Sequence, residues 1–202
     1  MNKIPSLNLQ DFVSGNSTQQ QQFIVDLGRA FEEIGFVAIS GHYLNEALID
    51  ELYTQIKAFF DLPEDIKKKY EIKGLGGQRG YTSFGKEHAK GKKEADLKEF
   101  WHFGQYAEVP EILKPHYPPN VLVEELPAFN EVGENVFKAL EKTAMALLRA
   151  ISLHLGLDQH YFDGFVASGN SILRPIHYPP IQQAPKNAER AAAHGDINLI
   201  TL

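Results

Sequence analysis

The hydrophobic pattern of this 202-residue chain changes character after Gly169, and that change limits its architecture more than any other feature. Up to that point apolar residues recur mainly at helical spacing; beyond it they alternate as in a strand. The longest helical stripe covers residues 128–155, with Phe129, Val132, Val136, Leu140, Leu147 and Ile151 inward and Gly156 as its stop. A helix over residues 19–34 carries Phe23, Leu27, Ala30, Phe31 and Ile34 and ends at Gly35. Asn45 opens another, with Leu48, Leu52, Ile56 and Phe59 as its buried face. Asp61 and Pro63 begin a short third helix that ends near Tyr70, and Asp158 caps a short helix through Phe162.

Strands are expected at residues 4–9, 36–39, 99–104, 171–178 and 198–202. Residues 74–91 form a long loop rich in glycine and charge, with a further strand around 81–84, and long loops in compact domains are often functional. Residues 110–127 hold five prolines and read as an extended connection. The expected class is α+β, helical first and sheet-forming at the end. Two strands near the C-terminus without later partners would expose an apolar edge, so the chain is expected to be part of a longer protein.

A net charge of -6 builds no basic face for phosphate backbones, so nucleic acid is not an expected partner. Lys67, Lys68 and Lys69 read as the solvated end of a helix, and the lysines of residues 90–93 as loop surface. The absence of cysteine excludes disulfides, thiolate metal sites and a cysteine nucleophile. Without a signal pattern or a membrane-length apolar run, a cytoplasmic protein with no membrane partner is expected.

His194 and Asp196 stand just before the last expected strand. In extended chain, side chains at i and i+2 share a face, so imidazole and carboxylate could reach one cation. One more histidine would complete a two-His-one-carboxylate set, which leaves positions open on Fe(II). The bland alternative is a histidine hydrogen-bonded in a turn. Upstream, Arg174, Ile176 and Tyr178 share a face at strand spacing, ahead of Pro179 and Pro180. An arginine and a tyrosine hydroxyl facing one pocket suit a carboxylate; equally, Arg174 could extend to solvent while Tyr178 packs in the core.

Taken in order, the motifs resemble the isopenicillin N synthase-like branch of the Fe(II)/2-oxoglutarate-dependent oxygenases. They begin with Ile4-Pro5-Ser6-Leu7 and Asp11, Gly35-Phe36-Val37-Ala38-Ile39 with Gly41-His42, and Leu62-Pro63 before a charged helix. Arg79-Gly80-Tyr81, Phe84-Gly85 and Lys98-Glu99-Phe100-Trp101-His102 follow. The series closes on His177-Tyr178-Pro179-Pro180 and on residues 194–202, HGDINLITL. The resemblance implies a helical N-terminal region (residues 1–120) packed on a double-stranded β-helix, or jelly roll. Residues 121–202 would supply the long helix and only the first strands of that jelly roll.

The resemblance further implies that His194 and Asp196 are two iron ligands and that Tyr178 contacts the oxoacid cosubstrate or lies beside the metal. It places Tyr81 and His102 on the substrate side, joined by Arg174 as an anion contact; His177 matches a non-ligand position, and His42 a structural one. Fe(II), 2-oxoglutarate and O₂ would serve hydroxylation, or a related C–H oxidation, of a small-molecule substrate. The family's second histidine ligand and its Arg-x-Ser clamp lie downstream of His-x-Asp, whereas this sequence ends six residues after Asp196. His88, His116, His154 and His160 fall in expected loops or helices and do not replace that ligand. Two alternatives remain: an iron oxidase of the isopenicillin N synthase or aminocyclopropane-carboxylate oxidase type, independent of 2-oxoglutarate, and a non-catalytic module that kept the fold.

Overall fold

The computed structural model describes residues 3–87, 95–181, 189–196 and 198–202. Its elements run β1 (Ser6–Asn8), α1 (Leu9–Val13), α2 (Ser17–Glu33), β2 (Ala38–Ser40), α3 (Glu46–Phe60), α4 (Glu64–Lys69), β3 (Gly80–Thr82) and β4 (Glu99–Gly104). A 3-10 helix (Glu111–His116) follows, then α5 (Pro127–His154), α6 (Asp163–Val166), β5 (Ile172–Leu173) and β6 (Ile176–His177). Contacts divide the chain into two compact units. One joins Met1–Glu46 to Lys138–Gly169 and Leu202; the other joins Ala47–Phe137 to Asn170–Thr201. This division is spatial and does not follow the linear one at residue 120.

In the first unit β1 pairs in parallel with β2, Leu7 opposite Ile39. Helix α2 starts on a capping box: the Asn16 side chain accepts from the Gln19 N–H, and the Gln19 side chain accepts from the Asn16 N–H. Phe23, Ile24, Leu27 and Ala30 are its buried face. Gly28 completes that face because a Cβ there would lie 2.0 Å from the His154 ring. The long helix ends where expected, at Gly156 with φ +71°. The Leu157 N–H there reaches back to the Ser152 carbonyl at 2.9 Å.

The second unit is built around β4, buried at all six positions. On one side β3 runs antiparallel to it, with Tyr81 opposite Trp101. On the other, β6 pairs at its start (Glu99 with His177) and β5 at its end (Phe103 with Leu173). Phe59, Trp101 and Phe129 are fully buried and form the centre of an aromatic core. The Phe59 ring stacks on Phe129 at 5.0 Å and meets Trp101 edge-on at 4.9 Å.

Four expectations are corrected. The strand at 171–178 is interrupted at Arg174 and Pro175, since proline has no N–H for the ladder; its carbonyl accepts from the Trp101 N–H at 3.0 Å instead. Residues 110–127 are not wholly extended: Pro110 starts the 3-10 helix, its carbonyl accepting from Leu113 at 2.8 Å. Asp158 caps a turn, accepting from the His160 N–H at 2.8 Å, and helix α6 begins only at Asp163. Lys67 is buried rather than solvated, because its ammonium meets the Glu99 carboxylate at 2.9 Å. The lysines of residues 90–93 lie outside the described residues, as does His88.

Candidate metal centre

His194 and Asp196 turn toward each other: imidazole Nε2 stands 3.8 Å from carboxylate Oδ1, with both side chains more than half exposed. Local hydrogen bonds set this arrangement. Nδ1 of His194 lies 2.7 Å from the Ala192 carbonyl, which can only accept, so Nδ1 donates there and Nε2 is the nitrogen that faces the carboxylate. Asp196 Oδ2 accepts from the Thr201 hydroxyl at 3.0 Å, leaving Oδ1 toward the imidazole. The strand expected at 198–202 does not form. Among the described residues no neighbouring ladder supplies its backbone partners, and the Asn198 amide satisfies the Ile200 carbonyl (2.8 Å) and Thr201 hydroxyl (2.6 Å) locally. Ile197 lies outside the described residues.

One neutral imidazole nitrogen and one carboxylate oxygen, without thiolate, are a donor pair suited to Fe(II). A carbonyl on the other ring nitrogen is the usual way a metal-binding histidine is held. The pair therefore fits two positions of an iron site. Among the described residues no group of three or more His, Cys, Asp or Glu side chains could hold a metal. His154 is spent on Glu32 at 3.0 Å and His160 on Asp163 at 2.8 Å.

The segment leading to this pair is tied to the start of β4. The Leu97 N–H donates to the Glu189 carbonyl at 2.9 Å, and Asp96 Oδ1 accepts the Ala192 N–H at 3.3 Å. Lys98, also buried, bridges Asp96 (2.9 Å) and Glu87 (2.6 Å). Sequence reasoning missed Asp96 and Lys98. Their signal was two charges, Asp96 and Lys98, flanking Leu97 directly ahead of the expected strand 99–104.

Arg174 and His102 come together. Arg174 Nε donates to His102 Nε2 at 2.5 Å, and His102 Nδ1 is 2.5 Å from the Gly77 carbonyl. Burial, reinforced by the Arg174 charge, pushes the His102 pKa down to about 4, so its neutral ring accepts from Arg174. The guanidinium also lies 4.5 Å from the Phe100 ring centre and 3.2 Å from Glu87, and remains partly exposed. His102 is buried, so what the structure offers from it is a hold on Arg174.

Tyr81 is 2% exposed and sits in the aromatic core, its hydroxyl donated to Glu99; the expected substrate contact has no surface on which to form. Glu99 also takes Lys67 and His177, the latter at 2.7 Å. Burial alone would raise the Glu99 carboxyl, but hydrogen bonds from Tyr81, His177 and Lys67 outweigh it and hold the group below the usual carboxylate range. Tyr178, next along the chain, keeps 39% of its surface exposed.

The profile of the family described as "non-haem dioxygenase in morphine synthesis N-terminal" matches residues 4–125. The chain is 30% identical to the 2-oxoglutarate-dependent dioxygenase frbA of a Dothideomycetidae species, over 98% of this chain and 62% of that protein. A putative 2OG-Fe(II) oxygenase family protein from Caulobacter crescentus superposes with a TM-score of 0.81 at 38% identity, over 98% of this chain and 62% of that one. A full-length Neurospora crassa protein solved in complex with alpha-KG gives a TM-score of 0.81 at 25% identity, over 97% and 63%. The chain belongs to the non-haem Fe(II)/2-oxoglutarate-dependent dioxygenase family. It spans less than two thirds of the length of these relatives.

Proposed function

We propose that the complete protein oxidises a C–H bond of a small molecule, using Fe(II), 2-oxoglutarate and O₂. The observation that carries this reading is the convergence of His194 Nε2 and Asp196 Oδ1, 3.8 Å apart, with the other imidazole nitrogen held by a backbone carbonyl. In this reading residues 1–120 are the N-terminal region and residues 121–202 begin a double-stranded β-helix.

When bound, the iron with 2-oxoglutarate and O₂ supplies an oxidation that returns succinate, CO₂ and a hydroxylated or otherwise oxidised substrate. The chain's own residues have simpler tasks. His194 and Asp196 hold the cation, and the carbonyl of Ala192 keeps the His194 proton on Nδ1. Tyr178 offers a hydroxyl to the oxoacid. Arg174, held by the neutral ring of His102, binds a carboxylate of the substrate or oxoacid.

The test uses the complete polypeptide. Anaerobic Fe(II) with 2-oxoglutarate should give a weak visible charge-transfer band, and Asp196→Ala should abolish both the band and succinate formation. Wild-type succinate formation by Asp196→Ala would refute the ligand assignment. No band in the unsubstituted protein would point to the iron oxidase independent of 2-oxoglutarate or to the non-catalytic module.

A further inference from the structure

We infer that Asp96 is a positioning residue for His194, acting through the two sides of Ala192. The inference rests on the reading of His194 as a metal ligand. The Asp96 carboxylate accepts the Ala192 N–H at 3.3 Å, and the Ala192 carbonyl lies 2.7 Å from His194 Nδ1. The relay runs from a buried carboxylate through one residue's N–H and C=O to the imidazole.

Three observations give the relay direction. Asp96, Lys98 and Ala192 are all at most 5% exposed, while the His194 side chain is 59% exposed. The fixed end is therefore the Asp96 end. Lys98 holds the second Asp96 oxygen at 2.9 Å and is itself held by Glu87 at 2.6 Å, so the carboxylate cannot rotate away without breaking an ion pair. The neighbouring Leu97 N–H bonds the Glu189 carbonyl at 2.9 Å, which joins the same two segments a second time. An exposed imidazole on a segment without regular secondary structure would otherwise sample many orientations and both neutral tautomers. The relay leaves it one tautomer, with Nε2 toward Asp196. Supports of this kind typically change metal affinity by about 10- to 100-fold.

Asp96→Ala removes the acceptor for the Ala192 N–H. Asp96→Asn made together with Lys98→Met keeps an acceptor oxygen for the Ala192 N–H and removes the ammonium that would draw that oxygen away. In the complete polypeptide, Mn(II) binding followed by the loss of free-ion EPR signal should weaken about 10- to 100-fold in Asp96→Ala and recover in part in the double variant. Wild-type affinity in Asp96→Ala would overturn the inference, as would a double-variant affinity no better than that of Asp96→Ala. A measurement on the unsubstituted, metal-free protein does not depend on any variant folding. In that protein the ¹⁵N shift of His194 Nδ1 should be that of a protonated, hydrogen-bonded nitrogen, and the Ala192 amide should be protected from exchange. An unprotonated Nδ1, or an unprotected Ala192 amide, would also overturn it. His194→Ala separates the two ideas. Undiminished Mn(II) binding there sinks the metal reading itself; loss of binding there with wild-type binding in Asp96→Ala sinks only the relay.

Discussion

At the scale of single residues, the contact between Arg174 and His102 makes two predictions. Arg174→Ala should raise KM for an anionic substrate or for 2-oxoglutarate by about 10-fold, the worth of a charge-assisted hydrogen bond; unchanged KM for both would return Arg174 to the surface. His102 has a folded pKa of about 4 against an ordinary 6.5. Its stabilising contribution is full above pH 6.5 and is lost as pH falls toward 4, because the unfolded chain takes up a proton that the folded chain refuses. Urea unfolding between pH 6.5 and 4 should show this as a slope amounting to about 3 kcal/mol at most. The slope should flatten in His102→Asn; an identical slope would assign it elsewhere. Gly104 is a third sensitive point, since a Cβ there would lie 1.9 Å from the buried Arg79 guanidinium. Gly104→Ala should destabilise by about 1–3 kcal/mol in a denaturant melt, as overpacking a filled core does.

At the scale of elements, β4 is organised by one carboxylate. Glu99 binds Lys67 of α4, Tyr81 of β3 and His177 of β6, so three elements meet on a group at the first position of the strand. Glu99→Ala strands the buried Lys67 ammonium and should cost about 3–5 kcal/mol in chemical unfolding. Replacing Lys67 by Met in the same background should recover part of that loss; no recovery would mean that the charge is not the cause. This hub also marks where sequence reading stopped. Helices α2, α3 and α5 were legible because stripe and stop lie within one short window, as Gly35 and Gly156 show; the Asn16–Gln19 box that starts α2 at Ser17 was not read, and the helix was expected two residues late. Lys67 read as solvated because its partner, Glu99 of β4, lies 32 residues away. His194 and Asp196 were readable as a candidate pair through their spacing taken together with the ordered motifs before them. Asp96 was not, because its bond to Ala192 crosses 96 positions of sequence. The strand expected at 198–202 failed for a related reason: alternation names a face, while a ladder needs a neighbour.

At the scale of the whole molecule, a mixed helix-and-strand architecture was readable from the expected elements, and membership of an oxygenase family from the ordered motifs; the expected order was not, because β1 to β4 all precede Gly169 and the sheet does not begin at the end. No helix among the described residues is long and apolar enough to cross a membrane. If the 194–196 pair binds metal only in the folded state, Mn(II) at about 100 times its Kd should stabilise the complete protein by about 2.7 kcal/mol. That shift should vanish in Asp196→Ala; its persistence would place the ion elsewhere.

Strand β4, buried along its full length and flanked by β3 on one side and β5 and β6 on the other, also sets a timetable for synthesis. A ribosome that has finished Gly104 still has about seventy residues to add before His177 exists, roughly 4–14 s at 5–20 residues per second. Throughout that interval an apolar strand has one side unladdered, and the nascent chain offers a holdase chaperone a site that closes once β6 docks.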